Sequence, residues 1–235
     1  QLPGTMDDAG LGIPNTLEPR LEKPQLLYLT RKNSYLGAAW YSREVVVPKD
    51  WLDKQIRLSL ERVIWQTKVW VDGVKVEQIQ NSLIAPHIYD LTAHLIPGKK
   101  QRITIQVDNR KQFDTSVNDL AHAYTNHTQI IWNGIIGDIK LQAFDPVFVA
   151  DVFINPDLEE NIAHVDVSIE NTFEEAAVGY LEIQARHKSS GKRLHLIKDS
   201  IEIPVGSSVH SLDYLMGEDV KCWSEHSPEL YELQV

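Results

Sequence analysis

The sequence predicts an all-β protein, a jelly-roll β-sandwich over residues 1–146 followed by an immunoglobulin-like β-sandwich over residues 147–235. Three observations predict it. Apolar residues recur with a period of two rather than 3.6 nearly everywhere, and no long amphipathic helix can be drawn. Asp72-Gly73 sits between two apolar runs, which marks a two-residue hairpin. The charge changes abruptly near Pro146: residues 147–235 hold 6 Lys+Arg and 17 Asp+Glu, a net of −11, whereas residues 1–146 hold 17 and 16, a net of +1. Such a shift points to two domains.

The strands of the first half come in order. Ser42–Val47, Ile56–Leu60, Lys68–Val71, Ile103–Val107 and Ile139–Phe144 are rich in β-branched and aromatic residues and are bounded by turn residues. Trp70, inside one of these runs, is expected in the core. Asp90–Gly98 can close one helical turn on Pro97-Gly98. In the second half Ala163–Ile169 alternates well, with Val165, Val167 and Ile169 on one side. Tyr180–Arg186 and Arg193–Ile197 flank a hairpin turn at Ser189–Lys192, and strands at Ile201–Val205 and Leu230–Val235 follow.

Composition excludes several classes. With 235 residues, 43% hydrophobic and 24% charged, the chain can bury a real core. No apolar run approaches the roughly 18–20 residues of a membrane span. Neither half is basic, so nucleic acid is a poor partner. The single cysteine, Cys222, allows no internal disulfide and beside Trp223 reads as a small buried apolar residue. The chain begins at Gln1 without an initiator Met or an apolar leader, so either a leader was removed or the chain was cut from something longer.

Catalytic constellations were sought next. Asp7-Asp8, Glu159-Glu160 and Glu174-Glu175 are adjacent acids in turn-like segments, and adjacent strand residues point to opposite faces. They read as solvated loop charges, and no catalytic residue is expected. The 9 His residues are scattered; neither His122 and His127 nor His87 and His94 have a third ligand at metal spacing, so no metal and no other cofactor is expected. No nucleophile elbow or phosphate loop occurs. Of the six tryptophans, Trp132, beside Asn133 and close to His127, is the one best placed to face a sugar.

Residues Ala39–Arg110 resemble the sugar-binding domain of family 2 glycoside hydrolases. Ala39-Trp40-Tyr41-Ser42-Arg43 is similar to that family's Trp-Tyr-x-Arg strand, Ile56–Val63 to its next strand, and Val69-Trp70-Val71-Asp72-Gly73 to its Val-Trp-Val-Asn-Gly hairpin, with Asp72 replacing Asn. Tyr89–Thr92 with Pro97-Gly98, and Ile103–Arg110 ending in a Val-x-Asn-Arg pattern, follow in order. Asn133–Leu141 resembles the strand that closes the jelly roll, with Gly137 where the family has Arg, and Cys222–Tyr231 resembles the Trp-Ser-Pro-x-x-Pro-x-Leu-Tyr ending of the immunoglobulin-like domain.

The resemblance implies a galactose-binding-like jelly roll and a function as the non-catalytic front portion of a β-glycoside hydrolase of β-galactosidase, β-glucuronidase or β-mannosidase type. The catalytic acids would lie in a following (β/α)₈ barrel of about 250 residues, the expected partner, with a β-glycoside as the shared ligand. It also implies a periplasmic or secreted setting. In family β-galactosidases an acidic residue a few positions before the Gly-Ile strand reaches the active site. That position here is Thr128, so the acid is missing, and Asn126 and His127 are the adjacent candidates, with Trp132, for carbohydrate contact. The alternatives are a stand-alone carbohydrate-binding module and a structural adhesion protein whose acidic second domain offers loop carboxylates to Ca²⁺.

Overall fold

The computed structural model describes residues 1–16, 18, 31–114 and 131–235, and the chain divides into two compact units, Gln1–Ala143 and Phe144–Val235. Both are built from β-strands; a single 3₁₀ turn at Lys49–Trp51 is the one helical element among the described residues.

Among the described residues eleven strands build the first unit: β1 (Gly4–Thr5), β2 (Ile13–Pro14), β3 (Asn33–Ser34), β4 (Ala38–Val46), β5 (Gln55–Leu60), β6 (Gln66–Val71), β7 (Val74–Asn81), β8 (His87–Asp90), β9 (Lys100–Asp108), β10 (Gly134–Ile135) and β11 (Ile139–Phe144). A four-stranded sheet runs β4-β9-β6-β7 and a three-stranded sheet β11-β5-β8, with β1-β10 and β2-β3 as short pairs. Alternation decides what each strand buries. On β6 it sends Thr67, Val69 and Val71 inward, on β9 Ile103, Ile105 and Val107, and on β5 Ile56, Leu58 and Leu60. These meet Tyr89, Leu91 and Val76 in one apolar cluster, which is the core of a sandwich.

The hairpin expected at Asp72-Gly73 joins β6 to β7, with Val71 opposite Val74. Asp72 has φ 49° and Gly73 φ 84°, the two left-handed positions such a turn requires. Asp90–Gly98 holds one turn, in which Leu95 N–H donates to Leu91 O at 2.9 Å. Gly137 has a different reason to be glycine. A Cβ there would lie 2.7 Å from the backbone oxygen of Glu61, because the chain hydrogen bonds to that backbone from both sides: Gly137 N–H donates to Glu61 O and Glu61 N–H to Asp138 O.

Trp70 departs from its expected place. Inward alternation on β6 passes through Val69 and Val71, so Trp70 turns outward and its ring centroid sits 4.8 Å from that of Trp40, an exposed residue of β4.

The second unit has six strands: β12 (Val147–Asp157), β13 (Ile162–Asn171), β14 (Ala177–His187), β15 (Arg193–Ile203), β16 (Gly206–Leu215) and β17 (Tyr231–Gln234). Two three-stranded sheets, β12-β13-β16 and β15-β14-β17, enclose Val165, Val167, Ile169, Leu181, Ile183 and Tyr214. The turn at Ser189–Lys192 joins β14 to β15 as expected. Ile201–Ile203 is the end of β15 rather than a strand of its own. Cys222 is exposed, not buried, because it lies in the irregular stretch between β16 and β17 rather than on an inward strand position.

Candidate carbohydrate-contact site and family

The sequence-expected contacts Asn126, His127 and Thr128 lie outside the described residues. The two chain ends that flank them, Asp108–Asp114 and Ile131–Gly134, are described, and they converge on one polar knot.

Asn133 is fully buried. Its Nδ2 donates to Gly37 O at 2.9 Å and to Val107 O at 3.0 Å, while its Oδ1 accepts the Tyr41 hydroxyl at 2.9 Å. Asn109, also buried, donates from Nδ2 to Tyr35 O at 2.8 Å and accepts the Gly37 N–H on Oδ1 at 2.9 Å. Gly37 is thus bound by both flanking asparagines. Burial, followed by the nearby Tyr35, pushes the Tyr41 phenol up to about 12, so it remains a hydroxyl donor at any ordinary pH. These residues are brought together from positions up to 96 apart in the chain.

Trp132 is half-buried and packs against Ile64 and Trp65, with Leu83 and Ile131 beside it. Its indole Nε1 is buried with no hydrogen-bond partner among the described residues. The ring therefore has an apolar seat and an unused donor.

Two carboxylates approach the knot, and each meets an arginine. Asp108 accepts the Arg110 guanidinium at Nε (3.0 Å) and Nη2 (2.5 Å), and this fork, against the opposing effect of partial burial, holds its carboxyl below the usual range. Asp7 lies 3.7 Å from Arg31, which also donates to Ile131 O. The Asp108 carboxylate, held by the Arg110 fork, is a fixed anion that accepts hydrogen bonds and a poor proton donor to a leaving group. The geometry fastens Gly37 and the backbone beside it. Among the described residues no group of three or more His, Cys, Asp or Glu is placed to hold a metal ion.

The residues of the knot were not singled out for function, although the motif comparison contained them. Tyr41 belongs to the Trp-Tyr strand, Asn109 to the Val-x-Asn-Arg end of β9 and Asn133 to the Asn-Gly start of β10. The second unit has a parallel case. Glu229 and Tyr231, from its closing signature, tie down the β14–β15 hairpin: Glu229 pairs with His187 Nε2 at 2.7 Å and accepts Ser189 Oγ at 3.0 Å, and the Tyr231 ring packs 4.9 Å from His187.

Residues 3–143 match the family profile described as glycosyl hydrolases family 2, sugar binding domain, and residues 147–235 match glycosyl hydrolases family 2. The chain belongs to glycosyl hydrolase family 2. Within this family it is similar to a β-glucuronidase of Paenibacillus borealis, 24% identical over 86% of the chain and 33% of that protein. It is similar also to a β-galactosidase of Thermoanaerobacter pseudethanolicus, 23% identical over 87% of the chain and 26% of the relative. The chain therefore spans a third or less of the length of these relatives. Among solved structures, Bacteroides uniformis β-glucuronidase 2 shares the fold with a TM-score of 0.69 at 22% identity, over 85% of this chain and 24% of that one.

Proposed function

We propose that this family 2 chain is the non-catalytic N-terminal portion of an enzyme that hydrolyses β-glycosides, β-glucuronides or β-galactosides foremost. It buttresses a catalytic barrel supplied by further sequence, and contacts the sugar through Asn126, His127, Thr128 or Trp132. One observation carries the reading: the sugar-binding profile and the second family 2 profile follow each other along the chain, which corresponds to only 33% of the Paenibacillus β-glucuronidase. The arginine-held state of Asp108 agrees with it, since a retaining or inverting glycosidase needs one carboxyl free to donate a proton.

The test is direct. The chain, incubated with 4-nitrophenyl β-glucuronide and 4-nitrophenyl β-galactoside, should release no nitrophenol above the buffer blank. Release that is abolished by Asp108→Asn or Asp7→Asn would place an acid–base pair within the chain and overturn the proposal.

A further inference from the structure

The outer face of the β4-β9-β6-β7 sheet carries an arrangement that core packing does not account for. Trp40 is 57% exposed, and neither Trp40 nor Trp70 belongs to an apolar cluster of the unit. The strand register makes a grid of the face. Trp40, Gln106 and Lys68 form one row, Ser42, Thr104 and Trp70 the next, and Lys75 lies across from Trp70 on β7. The two indoles thus lean toward each other diagonally over β9, at 4.8 Å and 45°. Hydroxyls and an amide occupy the positions between them, with Ser42 Oγ and Thr104 Oγ1 3.2 Å apart.

The charge on this face has the opposite sign to that of the chain. Lys68, Lys75, Lys100 and Arg102 project from it against Glu44 and Glu77, on a protein of net charge −10. Glu44 is taken by Lys100 at 2.5 Å and Arg102 at 3.1 Å. Lys68 and Lys75 flank Trp70; Lys68 helps to hold the Asp108 carboxyl below its usual range, less than the Arg110 fork does.

We infer that this face binds an acidic polysaccharide, a chain of uronic acid units, with sugar rings stacked on Trp40 and Trp70 and carboxylates held by Lys68 and Lys75. An indole pair offers flat apolar surface to the C–H faces of a pyranose. Ser42, Thr104 and Gln106 supply hydrogen-bonding groups for ring hydroxyls, and the lysines supply charge complementarity at the two edges of the aromatic pair. A protein partner fits less well, because the apolar surface, the two rings with the exposed Val46 and Ile79, is interrupted by hydroxyl, amide and ammonium groups. The inference does not rest on the hydrolase reading above and holds or fails separately from it.

Calorimetric titration of the chain with hexameric oligogalacturonate, and with cellohexaose as the neutral counterpart, tests it. The acidic hexamer should bind saturably at concentrations up to about 10 mM, and the neutral one at least about tenfold more weakly. Binding should weaken severalfold in about 0.5 M salt. Trp40→Ala should lower affinity by roughly tenfold, and Lys68→Gln by severalfold. Trp40→Phe, which keeps a stacking ring, should stay within severalfold of the parent and keeps the test readable if the alanine variant does not fold. Absence of saturation overturns the inference. So does equal affinity for the two hexamers, or undiminished binding by both Trp40→Ala and Lys68→Gln. A dimer that Trp40→Ala dissociates in sedimentation would assign the face to a second copy and also overturn it.

Discussion

Single side chains decide much in this protein, and Asn133 decides most. Its amide satisfies two backbone carbonyls and one phenol inside a buried site, from strands that lie far apart in sequence. Asn133→Ala leaves Gly37 O, Val107 O and the Tyr41 hydroxyl without that partner, and should cost about 2–4 kcal/mol of stability in denaturant unfolding. His87 gives a second residue-level expectation. It is fully buried, with Nδ1 2.6 Å from Thr67 Oγ1 and Nε2 3.3 Å from Ser82 O, and burial pushes its pKa below the ordinary histidine value. The unfolded chain then takes up a proton near pH 6.5 that the folded chain refuses. Stability from this group is complete above that pH and is lost as pH falls below it, by at most about 1.4 kcal/mol per pH unit. Unfolding free energies at pH 7.5 and 5.5 should show the loss, and His87→Gln should flatten it. Little of this was legible beforehand. The motifs contained Tyr41, Asn109 and Asn133, but a hydrogen bond between residues 92 or 96 apart leaves no local periodicity to read.

At the scale of the element, legibility followed how cleanly each strand separates its two faces. β13 was plain, because Val165, Val167 and Ile169 all point inward. β16 was not, because its inward positions include Ser208 and His210 while Val209 is exposed, which inverts the expected pattern. β12 carries a bulge between Val149 and Asp151, and the slip in register breaks its period of two. Trp70 departs for a related reason: the size of an aromatic in a strand points to the core, whereas the alternation of its neighbours assigns it to the other face. Element-scale contacts also explain Gly137, where this chain departs from the family arginine. Gly137→Ala would bring Cβ within 2.7 Å of Glu61 O and should destabilise by about 1–3 kcal/mol, whereas Gly191→Ala, with open space around its Cβ site, should cost about 1 kcal/mol for its left-handed φ alone. Thermal unfolding of the two variants side by side measures the difference.

For the molecule as a whole, the charge divide seen in the sequence survives as a difference between two separately cored sandwiches. Residues 147–235 hold 17 acidic and 6 basic side chains, so their self-repulsion is screened by salt. Raising ionic strength from about 0.05 to 0.5 M should slow amide exchange in β13 and β14 more than in β6 and β9. Equal protection in both units would show that local ion pairs such as Arg186–Glu232 offset the repulsion.

The double grip on Gly37 has a consequence for how this scaffold can be altered. Asn109 and Asn133 stand at the two ends of the stretch that carries Asn126, His127 and Thr128, and both fasten to the same glycine. Both asparagines act through the backbone of that single residue, so a substitution at either one is felt by the other, and their effects on stability are coupled rather than additive.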